Sequence, residues 1–360
     1  MKKSLIALAV LAASGAAMAQ SSVTVFGVVD AAVTYADGAR NWSGLQSGQN
    51  STSRIGFRGV EDLGGGLKAN FWLEAGLNLD SGDGASGYAG AAAGQGLAFK
   101  RRSTVGLEGA FGEVRLGRDQ TEAYKVTSRY DVFGQVGIAA SKVWADDANN
   151  TYTTNQRISN SIVYVSPNFS GFRVAANYGF GESAAGHSDA RYLGAALSYD
   201  NGPLSLGLGL ERLNAGSTVR ADGSALAILS DINAWSLGGS YNFGVVKLLG
   251  GYRDSEAKLD TTGAKAKLKG YYVGLSAPVG AGEVKASYNR YDRDTNTGVE
   301  AKADQFSLGY VHNLSKRTAL YGTYSYLKNK NGGTAFNLVS DAGLDNGKAQ
   351  ALQVGVRHAF

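Results

Sequence analysis

The chain has 360 residues, with 51 glycines, three prolines and no cysteine, and its 35 Lys and Arg residues against 30 Asp and Glu residues give a net charge of +5. The lack of cysteine excludes a disulfide framework. So small a charge, without a basic run that carries interleaved aromatic residues, argues against a nucleic-acid partner. The sequence has no cluster of Asp, Glu and His residues, so neither a metal nor another cofactor is expected.

The chain begins with the pattern of a secretory signal peptide. Two lysines precede an apolar core at residues 5–11, and residues 17–19, Ala-Met-Ala, offer a small-x-small cleavage site. This apolar core is too short for a membrane-spanning helix, which needs roughly 20 residues. We therefore expect residues 1–19 to be removed and residues 20–360 to form the mature domain. An uncleaved N-terminal anchor is the alternative.

The mature chain consists of short segments in which apolar and polar residues alternate. From residue 67 to residue 79 every odd position is apolar, whereas the even positions include Lys68 and Glu74. The same alternation recurs over residues 352–357. Since successive side chains of a strand point to opposite faces, one face would meet lipid and the other water. A soluble sandwich alternates too, so only the repetition along the whole chain favours a membrane barrel.

The connections between these segments alternate between short turns and long polar loops, as expected of an outer-membrane barrel. All three prolines lie in short turns, where the missing N–H harms no strand pairing. The segments number about sixteen, enough strands to leave an aqueous channel. The predicted fold class is all-β: a 16-stranded antiparallel transmembrane β-barrel with short periplasmic turns and long external loops. The long loops are residues 81–98, 119–156, 214–231 and 329–347.

Aromatic residues cluster near the ends of the predicted strands, where tyrosine and tryptophan would form girdles at the membrane interfaces. The alternative explanation is the ordinary preference of tyrosine for β-strands. The tyrosines assigned to the girdles are Tyr271, Tyr272, Tyr288, Tyr291, Tyr321, Tyr324 and Tyr326.

Several motifs of the mature chain resemble those of the Gram-negative general porins, in particular the betaproteobacterial type. They are residues 22–31, 53–59, 61–69, 102–109, 112–118 and 355–360. The resemblance covers essentially the whole mature chain and implies a 16-stranded barrel in the outer membrane that assembles as a homotrimer. It also implies contact with outer-membrane lipid and lipopolysaccharide. The terminal Phe360 would be the signal for the outer-membrane assembly machinery.

The porin resemblance further implies that the third long loop folds into the channel and narrows it. The corresponding segment is residues 119–156, the longest connection in the chain. Its apolar patch at residues 130–134 would pack against the inner wall of the barrel, and a surface loop with a small cluster of its own is the alternative. The acidic residues expected to face the opposite wall from this loop are Glu122 and Asp131.

By motif position, Arg54, Arg118 and Arg157 match the arginines with which such porins line one wall of the constriction. Alternation supports Arg54 and adds Arg58, because both lie on the face opposite their apolar neighbours. Arg118 shares its face with apolar residues unless a bulge at Gly117 redirects it. Arginine suits such a wall because it stays charged when like charges crowd it. A role in lumen solubility or in ion pairs, without selectivity, is the alternative for each.

These features predict a water-filled channel for the passive passage of small ions and hydrophilic solutes. Since Lys125, Arg129 and Lys142 offset much of the acidic charge of the loop, the wall arginines would dominate and favour anions mildly. A substrate-specific channel for organic acids or sugars is the alternative function, although Trp72 and Tyr272 are too few lumen aromatics to argue for it. An enzyme is not expected, because none of the three histidines has a serine and a carboxylate arranged around it.

Overall fold

The computed structural model describes residues 22–85, 96–144, 156–182, 190–219, 225–228, 230–259, 263–294, 300–330 and 333–360. The predicted signal peptide, residues 1–19, lies outside this part of the chain. Within the described ranges, no helix is both long enough and apolar enough to cross a membrane.

The described residues contain twenty β-strand segments and one α-helix. The strands are β1 Ser22–Asp37, β2 Asn41–Ser47, β3 Arg54–Gly64, β4 Leu67–Leu77, β5 Gly84–Ala85, β6 Arg102–Gly109, β7 Gly112–Gln120, β8 Arg157–Val165, β9 Phe172–Gly179, β10 Tyr192–Asn201, β11 Leu204–Leu213, β12 Gly216–Val219, β13 Ala225–Ile228, β14 Ser230–Asn242, β15 Lys247–Leu259, β16 Lys265–Val279, β17 Gly282–Asp294, β18 Glu300–Asn313, β19 Thr318–Asn329 and β20 Lys348–Ala359. The helix is α1 Glu122–Tyr130, and two short 3-10 helices are Lys142–Trp144 and Ser340–Ala342.

Successive strands pair in antiparallel order around a closed cylinder. The last strand, β20, pairs with the first, β1, from Val28 opposite Ala359 to Asp37 opposite Gln350. β2 and β3 both pair with β1 and are two parts of one barrel strand, β5 adds two residues beside β4, and β12 and β13 form a separate hairpin. The predicted 16-stranded antiparallel barrel is therefore confirmed. A closed sheet has no unpaired edge, which is a requirement for strands in lipid.

The predicted alternation between an outer and an inner face is also confirmed. In β20, Leu352 and Val354 are 49% and 60% exposed, whereas the intervening Gln353 is 1% exposed. In β1, the exposed Val33 lies next to the buried Thr34. Exposed aliphatic side chains recur in this way on the outer face, and a continuous apolar surface of this kind is stable against lipid rather than water.

Three of the tyrosines assigned to the interfacial girdles lie inside the barrel instead. Tyr272, Tyr291 and Tyr321 are at most 3% exposed, and the Tyr272 hydroxyl donates to the Thr127 carbonyl over 3.1 Å. Tyr271, one residue earlier in β16, is exposed on the outer face. Because consecutive residues of a strand face opposite sides, these two tyrosines could not both reach the lipid interface. The girdle prediction is wrong for the three buried tyrosines.

Connections of different length lie at the two ends of the barrel, as predicted. The turns between β3 and β4 and between β6 and β7 are the two-residue links 65–66 and 110–111, whereas β7 and β8 are joined by residues 121–156. The C-terminus closes the cylinder at the short-turn end. There the Phe360 N–H donates to the Gly27 carbonyl over 3.1 Å, and the Gly27 N–H donates to the Phe360 carbonyl over 3.0 Å. The role of Phe360 as an assembly signal stays a prediction.

Candidate functional site: the channel constriction

The connection between β7 and β8 carries α1, and this helix lies inside the barrel against β11 and β14. Thr121 caps the helix, its hydroxyl accepting the N–H of Tyr124 over 3.2 Å, and Arg129 lies in the last turn, where a positive charge suits the helix dipole. Beyond the helix, the side chains of Val132 and Phe133 are buried with those of β15 and the loop itself. The structure thus folds this connection inward, with its apolar patch against the wall.

Glycines of the inner wall allow the loop to approach closely. A Cβ atom at Gly238 would lie 2.3 Å from Cδ2 of Tyr130, and one at Gly209 would lie 2.9 Å from Cα of Ala123. Contacts this short do not occur between real atoms, so a larger side chain at either position would force the helix away from the wall. Bare strand backbone therefore forms the surface on which α1 rests.

The next part of the loop is held by Trp144. Its ring lies 3.6 Å from Cζ of Arg253, measured to the ring centroid, and packs edge-on against Tyr124 with centroids 5.3 Å apart. Arg253 is fully buried on β15, where it forms an ion pair with Glu211. A cation in contact with an aromatic face binds more strongly when both are removed from water. The loop is thus attached to the wall at Trp144 as well as along α1.

Asp131 ends the helix, and its carboxylate is occupied by the loop's own groups. Oδ1 accepts the N–H of Phe133 over 2.9 Å, while Oδ2 accepts the N–H of Ser141 over 2.9 Å and the side-chain amide of Gln135 over 2.6 Å. Burial raises the pKa of the Asp131 carboxyl, and these hydrogen bonds oppose that rise. Asp131 therefore shapes the loop, and little of its charge is presented to the channel.

Glu122 lies in the first turn of α1, away from the wall arginines predicted to face it. Its Oε1 is 3.1 Å from Nη2 of Arg115 and 2.7 Å from Nζ of Lys125. Nη2 of Arg115 is also 3.3 Å from Oδ2 of Asp119. Glu113 and Arg102 extend this network, so three cations and three carboxylates compensate one another beside the start of the helix. Glu122 does not line the cavity of the constriction.

Three arginines meet on the opposite wall around one carboxylate. Arg101 Nε lies 2.6 Å from Oε1 of Glu74, whereas Arg54 Nε lies 4.0 Å from the same oxygen. Arg157 Nε donates to the Arg101 carbonyl over 3.0 Å, and Arg54 Nη1 donates to the Thr52 carbonyl over 2.8 Å. The structure therefore brings together two of the predicted wall arginines, Arg54 and Arg157. Guanidinium groups remain charged in such surroundings.

The arginine cluster and the inward loop enclose a cavity of about 540 Å³. Four basic side chains line it, those of Arg54, Arg101, Arg157 and Lys285. Among the described residues of this lining, the acidic side chain is that of Asp131. Arg101 is paired with Glu74, Lys285 lies 3.6 Å from Glu283, and Asp131 is engaged by the loop, so the excess positive charge of the described lining rests mainly on Arg54 and Arg157.

Arg58 also lies on the inner face of β3, closer to the short-turn end than the arginine cluster. Its Cζ is 5.3 Å from the ring centroids of both Phe26 and Trp72, and these two rings are 4.8 Å apart. The guanidinium contacts both aromatic rings by cation–π interaction. The structure thus places Arg58 in the channel but outside the lining of the central cavity.

Arg118 is fixed to the wall by other partners. The register between β7 and β8 shifts between Gly117 and Asp119, and Gly117 has a φ of 126°, so a strand irregularity lies where a bulge was predicted. Arg118 Nε donates to the Lys100 carbonyl over 2.6 Å, and Nη1 donates to Oγ of Ser159 over 2.8 Å. The structure does not bring Arg118 into the lining of the cavity.

Comparison with known proteins assigns this barrel to a family. A family model described as Gram-negative porin matches residues 5–332. The chain belongs to the Gram-negative porin family. The outer membrane porin protein 32 of Delftia acidovorans is 46% identical to this porin over 374 residues, with 100% of each chain covered. The protein is therefore a porin of the outer membrane.

Solved structures show the same barrel. An anion-selective porin from Comamonas acidovorans has a TM-score of 0.80 to this porin at 42% sequence identity, with 95% of this chain and 100% of that chain covered. The trimer form of in-vitro folded OmpT from Vibrio cholerae has a TM-score of 0.67 at 19% identity, with 94% of this chain and 99% of that chain covered. The second similarity is one of fold alone.

The sequence reasoning missed two basic residues of this porin's cavity and the partner of one of them. Arg101 precedes the first residue of β6, so strand alternation did not assign it to a face. Glu74 was placed on the water-facing side of β4, but its bond to Arg101 joins it to the residue that precedes β6, which alternation within one strand does not reveal. Lys285 could have been found, because Glu283 and Lys285 alternate with the apolar Val284 and Ala286 along β17.

Proposed function

We propose that this porin is a general-diffusion channel with a mild preference for anions, through which small ions and hydrophilic solutes cross the outer membrane passively. The observation that carries this proposal is the lining of the constriction, with four basic side chains against the engaged carboxylate of Asp131. Two unit charges 4 Å apart in water interact with about 1 kcal/mol. A field of this size enriches anions in the passage without binding them tightly. No catalytic step belongs to this function.

General diffusion, rather than a substrate-specific pathway for organic acids or sugars, is supported by the placement of the lumen aromatics. Tyr272 is covered by α1, and Trp72 packs at a tilt against Phe26 next to Arg58. Neither arrangement gives a continuous aromatic track along the described part of the channel. Liposome swelling distinguishes the two functions: uptake rates that fall smoothly with solute size support general diffusion, whereas saturable uptake of one solute supports a specific site.

We also infer that the porin works as a homotrimer in outer-membrane lipid and lipopolysaccharide. The apolar outer face of β1 and β20 supports contact with lipid, and the fold shared with the trimer form of OmpT is compatible with a trimer. Insertion by the assembly machinery would use Phe360, whose exposed ring lies where β20 meets β1. Mass measurement of the detergent-extracted protein before and after heating tests the trimer, and a monomer before heating contradicts it.

The anion preference is tested by the reversal potential of the purified protein in a planar bilayer under a KCl gradient. We expect a potential of the sign that marks higher chloride permeability, with a modest magnitude because each charge contributes only about 1 kcal/mol in water. A potential of the opposite sign contradicts the argument from the cavity lining. Potassium acetate and choline chloride, measured in the same way, show whether the preference follows charge or ion size.

A further inference from the structure

A six-residue segment interrupts the second strand of the barrel. β2 and β3 pair with successive parts of β1, and residues 48–53 between them leave the strand ladder. We call residues 48–53 the inner turn, because Asn50, Ser51 and Thr52 line the constriction cavity. The narrow part of the channel is therefore bounded by this turn as well as by the inward loop and the arginines.

Asp30 of β1, which is fully buried, holds the inner turn in place. Its Oδ2 accepts the N–H groups of Asn50 over 2.9 Å and of Ser51 over 2.6 Å. Its Oδ1 accepts the N–H of Gln49 over 3.3 Å and the hydroxyl of Tyr321 over 2.5 Å. Hydrogen bonds to a carboxylate are roughly twice as strong as those between neutral groups. This one side chain therefore fixes three successive residues of the turn.

The inner turn connects the arginine cluster with the inward loop. On one side, Arg54 Nη1 donates to the Thr52 carbonyl over 2.8 Å and lies 3.4 Å from Oγ of Ser51. On the other side, the Gln49 carbonyl lies so close to Gly137 of the loop that a Cβ atom there would be 2.3 Å from it. The position of the turn thus sets the position of the Arg54 guanidinium relative to the loop.

We propose that Asp30 is a positioning residue for the anion preference: it holds the inner turn, and the turn keeps the Arg54 guanidinium directed at the channel. This inference rests on the proposed anion preference. The alternative partner of Arg54 is Glu74, whose Oε1 lies 4.0 Å from Nε. Without the Thr52 carbonyl in place, the guanidinium moves onto Glu74, and its charge is neutralised instead of acting on passing ions.

Removal of the Asp30 carboxylate distinguishes positioning from plain electrostatics. A carboxylate lost from the inner wall shifts the permeability toward anions if only its charge matters. Loss of the anchor of the inner turn shifts the permeability toward cations, because Arg54 is then withdrawn from the channel. The two explanations predict opposite signs for the same substitution.

The experiment compares Asp30→Ala and Asp30→Asn in the full-length trimer by reversal potential under a KCl gradient. We expect Asp30→Ala to lower the chloride-to-potassium permeability ratio by about twofold, as for the partial loss of one charge near the ion path. Asp30→Asn removes the same charge but keeps one oxygen for the N–H groups of Asn50 and Ser51, so it should lower the ratio less. Glu113→Gln is the matched control, since this carboxylate bonds Asn70 and Arg115 instead of the inner turn.

An unchanged or raised ratio in both Asp30 variants overturns the inference. In an Arg54→Gln background, Asp30→Ala should no longer lower the ratio, and a decrease of the same size there also overturns it. The shifts are measured relative to the parent protein, so the inference is tested whichever ion that protein prefers. If the parent protein prefers cations, this result contradicts the proposed function and does not bear on the role of Asp30. If Asp30→Ala does not assemble into a heat-resistant trimer, the sign of the shift in Asp30→Asn decides.

Discussion

The two sides of the constriction hold their charges in different ways. On the wall, Arg54 and Arg101 share the carboxylate of Glu74 and Arg157 donates to the Arg101 carbonyl, so positive charge remains uncompensated. On the loop, Glu122 pairs with Arg115 and Lys125, and Asp131 accepts N–H groups of the loop itself. Both sides carry ionised groups, yet among the described residues only the wall presents a net charge to the ion path. The selectivity of such a channel follows the charges left without partners, and a count of acidic and basic residues does not reveal them.

The largest change in ion selectivity is expected when the wall loses its excess positive charge. Arg54→Gln combined with Arg157→Gln should lower the chloride-to-potassium permeability ratio by about tenfold or more, because each charge near the ion contributes about 1 kcal/mol. Reversal potentials in a KCl gradient measure the ratio. Arg58→Gln is the matched control, since its guanidinium is stacked on Phe26 and Trp72 outside the cavity. An equal decrease in the control would show that the cluster has no special role.

A higher salt concentration should weaken the anion preference, because it screens the uncompensated charge of the wall. The Debye length falls from about 10 Å at 0.1 M to about 3 Å at 1 M, so the anion preference should decrease by about threefold over this range. Reversal potentials at a fixed concentration ratio but rising mean concentration give this dependence. In the variant with both Arg54→Gln and Arg157→Gln, the permeability ratio should hardly change with salt concentration. A preference that grows with salt would exclude the electrostatic origin.

Displacement of the inward loop should widen the channel and reduce its preference for anions. Gly238→Val places atoms where Tyr130 lies, and overpacking of this kind costs about 1–3 kcal/mol. We expect a higher single-channel conductance and a lower melting temperature of the trimer. Gly322→Val is the control, because the atom nearest to a Cβ there is 3.8 Å away. Equal conductance in the two variants would mean that the wall glycine does not position α1.

The smallest change in selectivity is expected at the loop carboxylate. Asp131→Asn should alter the permeability ratio by less than about twofold, because the carboxylate oxygens already accept hydrogen bonds from N–H groups of the loop. The same substitution should increase the noise of the open-channel current, since it weakens the bonds to Ser141 and Gln135 that shape the loop. A shift toward anions as large as the arginine effect would instead identify Asp131 as a charge that faces the channel.

Strand alternation predicted the features of this molecule that depend on local geometry. Arg54 and Arg58 were placed on the inner face because their neighbours are apolar, and both lie there. The same alternation excludes Tyr272 from an interfacial girdle, because its neighbour Tyr271 faces outward. Barrel closure and the number of strands followed from the repetition of the same pattern along the chain.

The partners of the site residues could not be predicted, because they depend on contacts between distant parts of the chain. The bond between Asp131 and Ser141 forms only when the loop turns back on itself. The pairing of Glu74 with Arg101 crosses from β4 to the residue before β6. Neither contact has a periodic signal in the sequence, so the choice of Asp131 as an opposing charge rested on its position in the loop alone.

Two double variants, compared under one KCl gradient, show whether the wall arginines or the loop carboxylates set the ion selectivity. One is Arg54→Gln with Arg157→Gln, and the other is Glu122→Gln with Asp131→Asn. If the wall alone presents net charge, the first variant loses most of the anion preference, while the second stays within about twofold of the parent protein. Shifts of equal size and opposite sign in the two variants would contradict the account.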